Sequence, residues 1–395
     1  MLLPNNKQET RLFQFADASR FIYNWTLEQE QKSYKENNKF LQDGELRKTL
    51  TKLKKQEEYR WLQSISNNVI KQSVKDACNA YKKSFNHKAS HPKFKSKRKS
   101  KPSFYQDTFK IQFTSTHVKL EKISNKIKKN RRTLNWIKLA EPNRVPTNVK
   151  YYNPRITYDG IHWWISVGVE EVLCNTKLPT NEGIGIDLGI KDLAICSDGV
   201  TYKNINKSKR VKKLEKKRKR LQRKLSRKIE NQIVSYSFGT KNGRIPHFQQ
   251  SLDSCKNIQK QKLAIKKNYK QITNVVDNYI HQLTSEIVNR EPKFIVTEDL
   301  NIRGLMKNKY LSKSIQDCKW YFLLETLRYK ASKHGILMVK ADRFYPSSKL
   351  CSCCGNKKVN LKLEDRIYKC ENCGTIIDRD YNASLNLRDY GLLNL

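Results

Sequence analysis

The chain has 395 residues, enough for two or three cores, and its 80 Lys and Arg against 37 Asp and Glu leave a formal charge of +43. Self-repulsion on that scale calls for a polyanionic partner, with nucleic acid foremost, and the dense blocks of charge argue against a merely Lys-rich source. No run approaches the roughly 20 apolar residues of a membrane span. The opening MLLPNNKQETRL lacks the charged-then-apolar order of a signal peptide, so no membrane partner and a cytoplasmic, nucleoid-associated location are expected.

Residues 10–85 carry apolar positions at helical spacing, Leu12, Phe15, Ser19 and Ile22 first and Val74, Ala77, Tyr81 and Phe85 later, with Ser66 as a helix-starting residue. The stretch HPKFKSKRKSKPSF (91–104) reads as a basic connector. From 104 to 171 the period changes to two in FKIQF (109–113), HVKL (117–120), WIKL (136–139), VKYY (149–152) and IHWWISVGV (161–169), which predicts a small antiparallel barrel. GIGIDLGIKDLAI (183–195) then reads as a glycine-hinged hairpin opening a new sheet, with a domain boundary near residue 180.

The block 207–228 holds 14 basic residues, yet Val211, Leu214, Leu221 and Leu225 share one helical face. That stripe is expected to pack on the sheet or on a later helix marked by Ile272, Val276, Tyr279, Leu283 and Ile287, leaving the charged face wet. Residues 236–253 read as a mobile loop between the two helices. FIVTEDL (294–300) and ILMVKA (336–341) read as buried strands, with a helix over 312–332 between them and a short helix after DRDYNASLNL (378–387).

Three acids stand where chemistry would want them: Asp187 in the first glycine-flanked strand, Glu298 at the end of a buried strand, and Asp380 at the start of the last helix. A carboxylate among Gly, Ile and Val is costly to bury unless it is paired or holds a cation. Acids that hold divalent ions suit in-line phosphodiester hydrolysis, and all-oxygen ligands suit Mg²⁺, two ions being expected. Asp378, two residues before Asp380, competes with it and could itself be the helix cap. The order Asp, Glu, Asp differs from the Asp, Asp, Glu of a cut-and-paste transposase. Neither a GxxxxGK phosphate loop nor an HExxH pair is present, which excludes the common NTPase and zinc-hydrolase patterns.

Five of the 10 cysteines lie between Cys351 and Cys373, while Cys78, Cys174, Cys196, Cys255 and Cys318 are scattered and read as small buried hydrophobes. Cys351, Cys354, Cys370 and Cys373 form two CxxC knuckles with the spacing of one structural Zn²⁺ site, Cys353 being a spare that competes with Cys354. Lys349, Lys357, Lys358 and Lys362 around it are available to backbone phosphates.

Taken together, GIDLGIKDLAI, IVTEDLNIRG, FYPSSKLCSCCG, YKCENCGTIIDRDYNAS and RFIYNWTL resemble the TnpB family of insertion-sequence proteins over essentially the whole chain. The resemblance implies an RNA-guided, Mg²⁺-dependent DNA endonuclease, related to the compact type V CRISPR effectors. Its partners would be a guide RNA from the transposon end and target double-stranded DNA beside a short flanking motif. The implied fold is α/β plus β-barrel: an RNase H-like (RuvC-type) nuclease domain (179–346 and 376–395) with Asp187, Glu298 and Asp380 as its acids. Into it is inserted a zinc-binding, target-nucleic-acid-binding segment (347–375). An N-terminal wedge barrel (1–15 and 96–178) would carry an inserted helical recognition domain (16–95). The first residues are abbreviated for the family, so an initial wedge strand is expected to be missing. Two other readings stay open, a nuclease-inactive RNA-guided repressor and a transposase joining DNA ends.

Overall fold

The computed structural model describes residues 1–123, 134–170, 182–238, 243–362 and 364–395. Two compact units divide the chain, Met1–Val172 and Leu173–Leu395. The boundary expected near residue 180 falls outside the described residues, as does Cys174.

In the first unit the helical period resolves into Asn6–Asn37, Asp43–Leu53 and Asn67–Phe85, with a 3-10 turn at Glu57–Ser64. Asn5 and Gln8 exchange side-chain and backbone bonds to start the first helix. Ser66 starts the last as expected, its Oγ accepting from the Asn68 amide at 3.2 Å, a cap worth about 1 kcal/mol. Leu12, Phe15 and Ile22 are buried, while Ser19 bonds Ser73 at 2.8 Å across the packed helix pair.

Seven antiparallel strands follow in the spatial order Ser103–Tyr105, Tyr151–Tyr158, Trp163–Val169, Leu2–Leu3, Trp136–Leu139, His117–Lys119 and Gln112–Phe113. They do not make the expected closed barrel: among the described residues no pairing joins the first of these to the last. The terminal strands are only three and two residues long, too short to carry the sheet around to closure. FKIQF gives a strand only at its end, because Asp107 Oδ1 accepts from the amides of Phe109 and Lys110 and turns the chain there. The supposed connector supplies Ser103–Tyr105, which pairs with Arg155–Thr157. Leu2–Leu3 lies in mid-sheet, between Trp163–Val169 and Trp136–Leu139.

The second unit is built on a mixed sheet of five strands, in the order Thr201–Lys203, Asp192–Cys196, Ile184–Asp187, Phe294–Thr297 and Leu337–Lys340. The first three are antiparallel, the hairpin 184–196 forming as read, and the last two run parallel to Ile184–Asp187. Side chains alternate across it: Ile186 and Ile295 join a core with the helices Lys256–Val288 and Trp320–Lys333, while Phe294 and Val296 meet Leu387 of the helix Arg379–Asn394. Helices on both faces explain the unbroken apolar runs of the central strands.

Three readings need correction here. Leu337–Lys340 is an edge strand and not a buried one, with Leu337 53% exposed. The helix over 312–332 is two, Ser312–Cys318 and Trp320–Lys333, broken at Lys319, whose φ of 51° lies in the left-handed region and whose ammonium meets Asp277 at 2.5 Å. The presumed loop at 236–253 contains most of a hairpin, Ile233–Phe238 against Arg244–Phe248, because IVSYSF alternates at period two.

The basic helix Lys209–Glu230 packs along Lys256–Val288, which decides between the two surfaces offered to its stripe. Gln261 Nε2 donates to the Leu221 carbonyl at 2.8 Å across the pair, and Arg218 lies 4.9 Å from the Tyr269 ring centroid. Cys78, Cys196, Cys255 and Cys318 are buried, as small hydrophobes are. No helix among the described residues is long and apolar enough to cross a membrane.

Candidate functional site

Asp187 ends its strand, and Glu298 follows directly on the parallel neighbour, in which Thr297 is in register with Ile186. Parallel strands side by side, about 4.8 Å apart, deliver the two acids to the same end of the sheet. The third comes from the helix Arg379–Asn394, which lies on the strand Ile184–Asp187. Gly185 makes that seat possible. A Cβ there would stand 2.0 Å from the Ser384 carbonyl oxygen and 2.4 Å from the Arg388 nitrogen, both helix backbone atoms. Gly391 from the helix side is filled in the same way by the Phe294 ring, 2.2 Å from its would-be Cβ. Helix backbone thus rests on strand backbone, and Asp380 in the first helical turn is brought to the acids.

The carboxyl group of Asp187 is held well above the usual carboxylate range, first by burial and then by the charges of Glu298 and Asp380, with Arg379 opposing them. Asp380 has Arg366 and Arg379 nitrogens each at 3.6 Å, and Glu298 Oε1 accepts from the Ser347 hydroxyl at 2.5 Å. Asp378 Oδ1 accepts from the amides of Asp380 and Tyr381, both at 3.0 Å, so Asp378 caps the helix. Three carboxylates near one another form an all-oxygen donor set suited to a hard divalent cation such as Mg²⁺. They gather less tightly than the thiolates: among the described residues, the four sulfurs alone are a ligand cluster compact enough to hold an ion as they stand.

Those sulfurs belong to Cys351, Cys354, Cys370 and Cys373, all within 4.8 Å of one another. The Cys351–Cys373 and Cys354–Cys370 pairs are each 3.6 Å apart. A tetrahedral ion with bonds of about 2.3 Å demands roughly 3.8 Å between ligand atoms, so the donor set fits a metal such as zinc. Cys353 is exposed and lies outside the cluster. The Cys373 thiol is pushed down to about 6, first by the Thr375 hydroxyl, and backbone amides lower Cys370, while burial pushes Cys351 up to about 11. A hairpin, Ile367–Lys369 with Ile376–Asp378, carries the second knuckle, and the fully buried Tyr368 bonds the Lys349 and Asn356 carbonyls at 3.2 Å each.

A groove of about 720 Å³ runs between the paired helices. Arg210, Lys213, Lys217 and Arg220 line one wall and Gln271, Asn274, Asn278 and Gln282 the other, each row repeating about once per helical turn. Cations on one wall face amides on the other, with Ile205, Leu214, Val275 and Tyr279 completing the lining.

Sequence reasoning missed Ser347, Asn382 and Asn386. All three are buried polar residues; the two Asn sit one turn apart on the helix face turned to the cysteine segment, and polar residues on an inward face were the available signal.

Three family models match the chain: "Helix-turn-helix domain" of the IS605 OrfB proteins over residues 1–39, the IS605 OrfB "Probable transposase" over 164–237, and "Cas12f1-like, TNB domain" over 320–387. A "Putative RNA-guided DNA endonuclease" of Streptomyces pristinaespiralis is 27% identical, the match covering 98% of this chain and 87% of that protein. The "Putative RNA-guided DNA endonuclease InsQ" of Escherichia coli K12 is 26% identical over 98% of this chain and 90% of its own. The CRISPR-associated endodeoxyribonuclease Cas12f1 of Sulfoacidibacillus thermotolerans is 35% identical over a shorter stretch, 29% of this chain and 27% of that one. In fold, the chain is similar to Cas12f1 as seen in a cryo-EM complex with sgRNA and target DNA, with a TM-score of 0.55 over 97% of this chain and 82% of that one at 14% identity. With full-length relatives and IS605 models at both its N-terminal helix and its central region, the chain belongs to the TnpB family of IS605-type OrfB proteins.

Proposed function

We propose that this protein is an RNA-guided, Mg²⁺-dependent endonuclease that cuts double-stranded DNA beside a short flanking motif, guided by an RNA from the end of its own transposable element. The carrying observation is the meeting of Asp187, Glu298 and Asp380 at one end of the mixed sheet, where burial and like charge leave Asp187 in need of a cation. The relatives named as RNA-guided DNA endonucleases, and the Cas12f1 fold, support the substrate class. On this reading the five-stranded unit is the RNase H-like (RuvC-type) domain, residues 347–375 are its target-binding insertion, the open sheet is the wedge domain, and residues 16–95 are the recognition helices.

Divalent ions held by the three carboxylates would supply an activated water and neutralise the leaving 3′-oxygen. The rest falls to the chain. Asp187 and Glu298 are positioned by the ends of two central paired strands, and Asp380 by a helix whose backbone rests on Gly185. Arg366 and Arg379 beside Asp380 keep a positive charge near the place a scissile phosphate must occupy. The groove between the basic and amide walls guides a strand by its backbone, whatever its sequence.

The test is to purify the protein with its downstream transcript and add Mg²⁺ with plasmids carrying a randomised flank beside a matched target. Sequencing of the cut ends should show cleavage that requires RNA complementarity. Binding without cleavage would instead make it a guided repressor, and joined strands a transposase.

The cysteine segment should stand or fall with zinc. Its own apolar cluster is only Cys351, Tyr368 and Cys370 with Leu361 and Ile377 against them, too little to fold unaided. Cys370→Ser should therefore release one equivalent of zinc and remove hydrogen-exchange protection at Tyr368, leaving Ile184–Asp187 protected. Metal analysis finding no zinc in the reduced, unmutated protein would overturn this assignment.

A further inference from the structure

Buried side-chain hydrogen bonds join Glu298 to the cysteine cluster. Ser347 is 3% exposed and donates its hydroxyl to Glu298 Oε1 at 2.5 Å. Its carbonyl accepts from Asn386 Nδ2 at 2.7 Å, and the same amide reaches the Leu350 carbonyl at 2.8 Å. One turn earlier on that helix, Asn382 donates to the Leu350 carbonyl at 2.6 Å and accepts from the Ser352 amide at 3.0 Å. Between Leu350 and Ser352 lies Cys351, the first sulfur of the cluster. The segment 347–352 is thus clamped at one end by an acid of the candidate site and along its length by the helix that carries Asp380.

Two buried amides and a buried hydroxyl are costly to take out of water, and their bonds do little more than offset that cost. What such bonds add is direction: they fit only one register of the segment against the helix. For Glu298 the consequence is specific. An ionised carboxylate offers about four lone-pair sites. Ser347 takes one of them and fixes the rotation of the group, leaving the others for a cation.

We propose that Ser347 is a positioning residue for Glu298, and that through it the four-cysteine segment governs how well the carboxylate site takes a divalent cation. The proposal rests on the reading of Glu298 as a metal-holding acid. Groups that orient a metal ligand from behind are worth about 10- to 100-fold in metal affinity. Disorder of the segment then reaches Glu298 along the clamp, through Ser347.

The test uses the full chain loaded with zinc. Mn²⁺ alone is titrated calorimetrically in the absence of nucleic acid, and the Mg²⁺ dependence of cleavage is measured beside it. Ser347→Ala should retain its zinc, bind Mn²⁺ about tenfold more weakly, and need about tenfold more Mg²⁺ for half-maximal cutting, with the rate at saturating Mg²⁺ nearly restored. Cys370→Ser, which acts on the far end of the clamp, should lose zinc and weaken Mn²⁺ binding to a similar degree. Glu298→Ala serves as the reference and should lose both Mn²⁺ binding and cutting. A Glu298→Ala protein that binds Mn²⁺ and cuts normally would remove the reading of the acids. If Glu298→Ala is inert while Ser347→Ala and Cys370→Ser titrate like the unmutated protein, the acids stand and the proposed link fails.

Discussion

Asp187→Asn should abolish cutting, by on the order of a thousandfold or about 4 kcal/mol of barrier, and yet make the metal-free protein more stable at neutral pH. Both effects come from one cause. The Asp187 carboxyl is raised above the ordinary carboxylate range by burial and by its neighbours Glu298 and Asp380. Between its unfolded and its raised folded value, the native protein holds a proton that the unfolded chain has released. Stability therefore falls as pH rises through that window and stays lost above it. Asn keeps the shape without the charge, so the slope due to this residue disappears. A divalent cation should stabilise the unmutated protein and do far less for the variant, because a ligand stabilises only the state that binds it. Thermal unfolding at several pH values, with chelator and with Mg²⁺, reads all of this. A variant that still cuts, or that is less stable with the same pH slope, would mean that Asp187 is a structural acid.

The second large effect is expected at a residue with no side chain. Gly185→Ala places a methyl group 2.0 Å from the Ser384 carbonyl oxygen and 2.4 Å from the Arg388 nitrogen. Both are backbone atoms in mid-helix and cannot rotate away, so the helix Arg379–Asn394 must move by about 1 Å or more to reach ordinary contact distance. Overpacking of this kind costs about 1–3 kcal/mol. The displaced helix carries Asp380, Asn382 and Asn386 with it, and a misplacement of about 1 Å is enough to cost roughly 100-fold in rate. Gly44→Ala is the matched control, since a Cβ there meets nothing within 4 Å and should leave cutting unchanged. Chemical denaturation and cleavage rates on the two variants check the account. Equal stability and rate in Gly185→Ala would show that the helix is not seated as described.

What the sequence revealed and what it hid divide along the reach of the interactions. The 184–196 hairpin, the Ser66 cap and the paired CxxC knuckles are written within a few residues, and they were legible. The candidate acids could be proposed from the sequence because buried apolar strands ending in carboxylates are costly unless the charge is paired or holds a cation. A cap at Asp378 was legible as a possibility, and its two amide bonds bear it out. Closure of the first sheet depended on how its shortest strands meet, which no local period records. The glycines in GIGIDLG signalled a turn, whereas Gly185 serves a helix that arrives 200 residues later in the chain. Ser347 lay between an apolar strand and a cysteine cluster and carried no motif of its own; its meaning is the carboxylate it touches across 49 residues.

The central claim is that Asp187, Glu298 and Asp380 together hold the divalent ions with which the DNA is cut. Anomalous scattering from crystals of the protein with its RNA and target DNA, grown with Mn²⁺, tests it directly. Manganese peaks are expected at the carboxylates of these three residues, separate from the zinc peak among Cys351, Cys354, Cys370 and Cys373. Manganese bound elsewhere, with the three carboxylates engaged only by Ser347, Arg366 and Arg379, would contradict it.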